Sequence, residues 1–291
     1  MNTSTLEKAV EEQEWDRVVM AKSSAFDLHL KDVWNYRDLI MLFVWRDFVA
    51  QYKQTILGPA WQFVQPALTT VIFLLVFTKI ARIPTDGISP TVFYMSGITL
   101  WGYFSNSLVN ISNTFVHNAY IFGKVYFPRL VLPISFVISN AIKFGLQFLL
   151  LAIVMVYYHF HGFPLHIGLK VLLIPLLLIH LAVLSLGLGI IISSFTTKYR
   201  DFTVLLAFAI QLIMYVTPVV YPLSYLKNQR YKWLIDINPL TSIIETFRLA
   251  LFNVGTVEIQ GVIYSIAFTI VVLLIGIILF NRVEKTFIDT V

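Results

Sequence analysis

Asn140, Lys143 and Gln147 stand at i, i+3 and i+7, a spacing that puts an amide, an ammonium and a second amide on one helical face together with Phe136. The segment around them is apolar over the length of a membrane crossing. A charged lysine at the centre of a bilayer costs about 2.5–3.5 kcal/mol on insertion scales unless it faces water or a partner. Two readings follow: the face lines a wet cavity that passes a polar solute, or it packs between helices with Lys143 snorkelling to the headgroups. No acid accompanies it in its own region. Between Asp47 and Asp201 the only carboxylate is Asp86, and Glu245 is the one intramembrane acid placed to approach Lys143. Such a chain has little to drive proton or cation coupling, and it lacks the paired acids that glycosyl chemistry requires. His180 and Gln211 sit near mid-depth of two other apolar segments, where His180 reads more simply as a packed, hydrogen-bonded residue.

Other chemistry is excluded directly. The chain has no cysteine, so disulfides, thiolate metal sites and thiol nucleophiles are absent. Its six histidines form no HExxH pattern, and no GxxxxGK[ST] phosphate loop occurs. If a nucleotide drives this protein, a separate ATPase binds it.

The elements that must hold these residues are membrane helices. Of the 291 residues 58% are hydrophobic and 13% charged, far from the roughly 25% charged usage of soluble domains. The net charge of +5 reads as basic residues flanking spans rather than as a nucleic-acid surface. Six segments reach the roughly 20 apolar residues that a crossing needs: 60–80, 91–111, 130–158, 169–195, 202–221 and 261–280. Residues 1–29 are polar and lack the apolar core of a signal peptide, so the first span is expected to direct insertion. Lys and Arg cluster before the first span and after the second, fourth and sixth, whereas the loops 83–90 and 159–168 carry none within the loop proper. By the positive-inside bias both termini are expected in the cytoplasm. The loop 222–260, with Lys227, Arg230, Lys232 and Arg248, runs against this bias. The fold class expected is an all-α integral membrane protein with six transmembrane helices. Its parts are a cytoplasmic N-terminal segment (1–58), a six-span domain (59–281) and a cytoplasmic tail (282–291).

Three segments outside the spans, or interrupting them, and one aromatic cluster within a span carry further information. In 36–66, Arg37-Asp38 and Arg46-Asp47 bracket an uncharged run too short to cross, so a helix at the cytoplasmic interface is expected as far as Lys53, touching protein as well as lipid; a plain anchor is the simpler alternative. Leu57-Gly58-Pro59 then breaks the chain and starts the next helix. The polar and aromatic stretch 113–129 suits a short helix offered to a soluble partner, or an ordinary connection. After Thr217-Pro218 and Tyr221-Pro222, a short helix is expected at 224–235. Asn238-Pro239 caps a second helix over 239–252, which is too short to span. A hairpin dipping into the outer leaflet fits, with Glu245 and Arg248 pairing at i, i+3; a surface cap is the alternative. Finally, Phe93, Tyr94, Trp101, Tyr103 and Phe104 cluster in one span, where they could offer faces to sugar rings or simply pack.

Taken together, YRDL and the WRD, YKQT, LG, W and P run (Tyr36, Arg37, Asp38, Arg46, Asp47, Tyr52, Lys53, Leu57, Gly58, Trp61, Pro66), GKVYFPR with Pro133, KYRD at 198–201, TPVVYP at 217–222 and NPL…E…FR at 238–248 resemble the permease subunits of ABC type-2 polysaccharide exporters, which serve O-antigens, capsules and teichoic acids. The resemblance covers roughly residues 30–282. It implies a homodimer of permeases in a bacterial inner membrane, with two ABC ATPase subunits beneath. No cofactor belongs to this chain; ATP and magnesium sit on the ATPase. The cargo implied is a polyprenyl-pyrophosphate-linked glycan. Arg46, Lys53, Leu57 and Gly58 correspond to its entrance, and Asn113, His117, Tyr120, Lys124 and Arg129 to the segment receiving ATPase movement. Pro222, Asn238, Pro239, Glu245 and Arg248 correspond to a re-entrant outer gate between spans five and six. The substrate path would use Asn140, Lys143, Gln147 and the aromatic set. A drug or simple-lipid exporter, or a membrane glycosyltransferase, are the rival readings.

Overall fold

The computed structural model describes residues 30–163, 168–199, 201–226, 230 and 232–287, without the side chains of Leu30 and 281–287; residues 1–29, Arg200, Lys227 and the end of the tail lie outside the described residues. Among the described residues the chain is helical throughout and holds no strand. In order the helices are α1 (Leu30–Asn35), α2 (Arg37–Tyr52), α3 (Gly58–Ile80), α4 (Pro90–Ser112), α5 (Thr114–Phe122), α6 (Val131–Phe160), α7 (Leu169–Lys198), α8 (Asp201–Val216), α9 (Lys232–Asp236), α10 (Pro239–Phe252) and α11 (Ile259–Phe287). Four runs are long and apolar enough to cross a membrane: Gly58–Ile80, Val131–Phe160, Leu169–Lys198 and Ile259–Phe280. The 23-residue α4 has the length, and α8 is apolar but shorter.

α4 is the hub. Sixteen of its 23 residues are buried, because it packs against α3, α6, α7 and α10 at once. Its serines and threonines fit there by donating to carbonyls of their own helix: Ser96 Oγ to Phe93 O at 2.7 Å and Thr99 Oγ1 to Met95 O at 2.8 Å. Small residues set the closest approaches, as expected where helices meet without a hydrophobic drive between them. A methyl group added at Gly276 on α11 would stand 2.9 Å from the Gly187 carbonyl on α7, and one at Gly189 would strike Ile111 on α4. These contacts bind α4, α7 and α11 into one body.

α2 lies along the start of α6. Ile40, Phe43 and Val44 are buried against Val131 and Leu132, with Phe127 closing the cluster, while Met41, Leu42 and Trp45 face outward. The expected contact with protein is thus present. α2 ends at Tyr52; Gly58, at φ +52°, takes the left-handed turn that glycine permits, and Pro59 opens α3 as the sequence predicts.

The fifth expected span is shortened. α8 stops at Val216, and Thr217, Pro218, Val219 and Val220 form a buried non-helical turn. The physical reason lies across the fold: the carbonyls of Pro218 and Val219 accept hydrogen bonds from Arg248 instead of continuing a helical ladder. The helix expected at 224–235 is also different, its described parts being a tight turn at Leu223–Leu226 and α9.

Candidate functional site

The segment from Thr217 to Thr256 is built around one cation. Asn238 caps α10 by accepting from Leu240 N at 3.0 Å and donates through Nδ2 to Thr217 Oγ1 at 2.8 Å. Pro239 follows at the first helical position, and Pro222 is buried in the preceding segment. α10 then carries Glu245 and Arg248 into the interior, where Arg248 Nη1 lies 3.3 Å from Glu245 Oε1 and their side chains are 2% and 4% exposed. The pairing expected at i, i+3 is present. Arg248 also donates Nη1 to Pro218 O at 2.7 Å and Nη2 to Val219 O at 3.0 Å, and its guanidinium lies 3.7 Å from the centre of the Phe93 ring. Glu245 Oε2 accepts from Thr256 N at 3.3 Å. One guanidinium therefore joins α4, the 217–220 turn and α10, a geometry that a planar five-donor group suits. The sequence reading missed the two acceptor carbonyls and the Phe93 stack, since nothing in a local pattern reveals a backbone acceptor 30 residues away.

Two basic residues of the loop 222–260, Arg248 and Lys232, are matched by carboxylates. Lys232 Nζ lies 3.3 Å from Glu258 Oε1 and 3.4 Å from Asp236 Oδ2. Partial burial works against its charge, yet the two carboxylates prevail and raise the Lys232 ammonium above its ordinary value. Asp86 accepts from Ser224 Oγ at 2.7 and 2.8 Å, tying the 83–90 loop to the same end.

At the opposite end of the bundle, α5 is the short helix expected within 113–129, kinked at Asn118. His117, Tyr120 and Lys124 are exposed, beside the exposed Val116, Val125 and Tyr126. Asn113 and Arg129 differ from that set. Asn113 is buried, donating to Val109 O at 2.9 Å and accepting from Thr203 Oγ1 at 3.3 Å, and Arg129 is buried with its guanidinium 5.8 Å from the Phe122 ring centre. These two shape the base of the segment; they do not present a surface.

Of the residues expected at an entrance, Lys53 and Leu57 are exposed beside the fully exposed Ile56. Arg46 is not an unmatched cation: its Nε and Nη2 donate to Asp47 Oδ1 at 2.9 and 2.7 Å, and it lies 4.7 Å from the Phe43 ring centre.

The Asn140, Lys143 and Gln147 face turns toward neighbouring helices. Asn140 is buried with neither amide atom hydrogen-bonded; Gln147 Nε2 reaches Gln62 Oε1 of α3 at 3.5 Å; Lys143 is half buried. Glu245, the acid expected to approach Lys143, is engaged by Arg248 instead. Phe93, Tyr94, Trp101, Tyr103 and Phe104 are all buried, linked by ring contacts such as Phe93 to Tyr94 at 5.4 Å and Tyr103 to Phe144 at 5.9 Å. Here they are interior packing. His180 bridges α7 to α11 through Thr269 Oγ1 at 3.0 Å, the packed role anticipated for it. A feature without any sequence signal is an apolar cleft of about 390 Å³ among α4, α7, α8, α10 and α11, lined by Leu108, Leu184, Phe202, Leu206 and Leu240 among others.

An exposed short helix lies at one end, a buried ion pair at the other, and helices long and apolar enough to cross a membrane run between them. The family described as ABC-2 type transporter matches residues 38–252. This chain belongs to that family. Similar ABC-2 relatives include an O-antigen export system permease protein RfbA of Klebsiella pneumoniae, 30% identical over 86% of this chain and 93% of the relative. A protein of the same description from Myxococcus xanthus is 25% identical over 90% of this chain and 98% of its own length. The polysialic acid transport protein KpsM of Escherichia coli is 25% identical over 82% of this chain and 91% of its own. The matched ABC-2 region begins in α2 and ends with α10, so it takes in both the α5 surface and the Arg248 knot.

Proposed function

We propose that this chain is the permease subunit of an ATP-driven polysaccharide exporter in a bacterial inner membrane. The observation that carries the reading is the similarity to O-antigen export permeases over nearly their whole length, in a chain that belongs to the ABC-2 type transporter family. The chain works as a homodimer with two ABC ATPase subunits, which supply ATP and magnesium. On this reading α4 and α8 join the four long apolar runs to make six crossings, with both termini in the cytoplasm and α9 and α10 as a re-entrant gate at the outer side. The absence of a GxxxxGK[ST] sequence and the exposed Tyr120, Tyr126 and Val125 near α5 support a borrowed motor docking there. The cargo is a polyprenyl-pyrophosphate-linked glycan that enters near Lys53, Leu57 and Gly58.

The test is purification from native membranes together with depletion of the chain. The reading expects a nucleotide-hydrolysing subunit to accompany the chain, and expects depletion to strand lipid-linked polymer on the cytoplasmic side. Sugar-polymer movement driven by an ion gradient, without ATP, would refute it. Tyr120→Ala together with Tyr126→Ala is expected to release the ATPase while leaving the permease in the membrane.

A further inference from the structure

The seam between α4 and α6 holds polar groups that the proposed function leaves unexplained. Two contacts fix how these antiparallel helices face each other. A methyl group added at Gly102 would stand 3.6 Å from Gln147 Oε1, and the Tyr103 and Phe144 rings lie 5.9 Å apart. One turn nearer α5, the same register sets Ser107 of α4 opposite Asn140 of α6; a further turn on, Ile111 and Phe136 belong to one cluster. Tyr103 and Ser107 share a face at i, i+4, where their hydroxyls approach each other without meeting the geometry of a hydrogen bond.

Tyr103, Ser107 and Asn140 are 3%, 0% and 1% exposed. Their side chains hold four polar atoms, the two hydroxyl oxygens and both atoms of the amide, and all four lack a hydrogen-bond partner among the described residues. Such groups are costly to bury unpaired, and a bundle surrounded by lipid gives them no bulk water. Buried water meets that need elsewhere in proteins, making about three hydrogen bonds to groups of this kind. The chemistry here matches: Asn140 offers two N–H donors and a carbonyl acceptor, and each hydroxyl both donates and accepts. The seam is also slack beside Gly102, where Gln147 Oε1 is the one atom from outside its own stretch of helix within 4 Å of the added methyl, among the described residues. We propose that Tyr103, Ser107 and Asn140 form a closed site for ordered water that bridges α4 and α6. The wet reading of the α6 face is thereby confined to Asn140 and separated from any solute path. It holds whatever the cargo is.

Tyr94 supplies an internal control for the test. It lies on the same helix, is 0% exposed, and its hydroxyl already accepts from Thr78 Oγ1 at 3.2 Å. Brief X-ray radiolysis of the purified protein in lipid nanodiscs, with any subunits that accompany it, makes hydroxyl radicals from bulk and bound water alike. Mass spectrometry is expected to find Tyr103 oxidised several-fold faster than Tyr94; equal rates would overturn the proposal. Asn140→Leu keeps the volume and removes the amide. It is expected to slow Tyr103 to the rate of Tyr94 and to lower the thermal midpoint by a few degrees, because the water and the two hydroxyls lose a partner. An unchanged Tyr103 rate, or a midpoint that rises as a dry amide is relieved of its burial, would also overturn it. Should Asn140→Leu fail to reach the membrane, Ser107→Ala is read in the same way.

Discussion

α8 and α10 are close in length and opposite in fate. α8, 16 residues and almost wholly apolar, has one buried residue, Leu206; Val204, Leu205 and Phe208 are 74%, 61% and 62% exposed. α10, 14 residues with an acid and an arginine, has nine buried, the two charges included. In a water-soluble protein the apolar helix would be the interior one. Here the surroundings are expected to be lipid or a second copy, so apolar side chains have no reason to turn inward. Polar groups, by contrast, must find partners inside the protein. In this pair the helix that carries the two charges is the buried one, although Gln211 of α8 stays exposed.

That contrast can be broken from either side. The largest effect is expected from Glu245→Ala, which strands Arg248 without its acid: removing one partner of a buried ion pair costs about 3–5 kcal/mol. The yield of folded, monodisperse protein in detergent should fall sharply. Next, Gly97→Ala forces a methyl group to 2.9 Å from the Val219 carbonyl and 3.2 Å from Arg248 Nη2, and overpacking of this kind costs about 1–3 kcal/mol. A lowered thermal midpoint in detergent is the readout. Asn238→Ala removes the α10 cap and the link to Thr217, for about 1 kcal/mol, measurable the same way. Smallest of all, Phe208→Ala on the exposed face of α8 should leave the stability of the detergent-solubilised single chain within about 0.5 kcal/mol. A loss comparable to that of Gly97→Ala would mean that α8 is docked far more firmly than its exposure indicates.

Much of this fold is legible in the residues. Apolar length locates α3, α6, α7 and α11 to within a few positions, Asn238-Pro239 marks the start of α10, and the i, i+3 spacing predicts the Glu245–Arg248 pair. What stays hidden is which helix faces which. The seat of Ile40, Phe43 and Val44 of α2 on the start of α6 is a contact between distant parts of the chain that no period records. The aromatic residues of α4 look alike whether they line a path or pack, and only their burial distinguishes the two. The early end of α8 has a local signal in Thr217-Pro218, but its cause is a distant guanidinium drawing on two carbonyls.

The contact of α7 with α11 through Gly187 and Gly276 has a mechanical consequence. With backbone set against backbone and α4 wedged by Gly189, these three helices cannot slide without colliding, so they act as a rigid strut. α3 and α8, few of whose residues are buried, stand outside this strut.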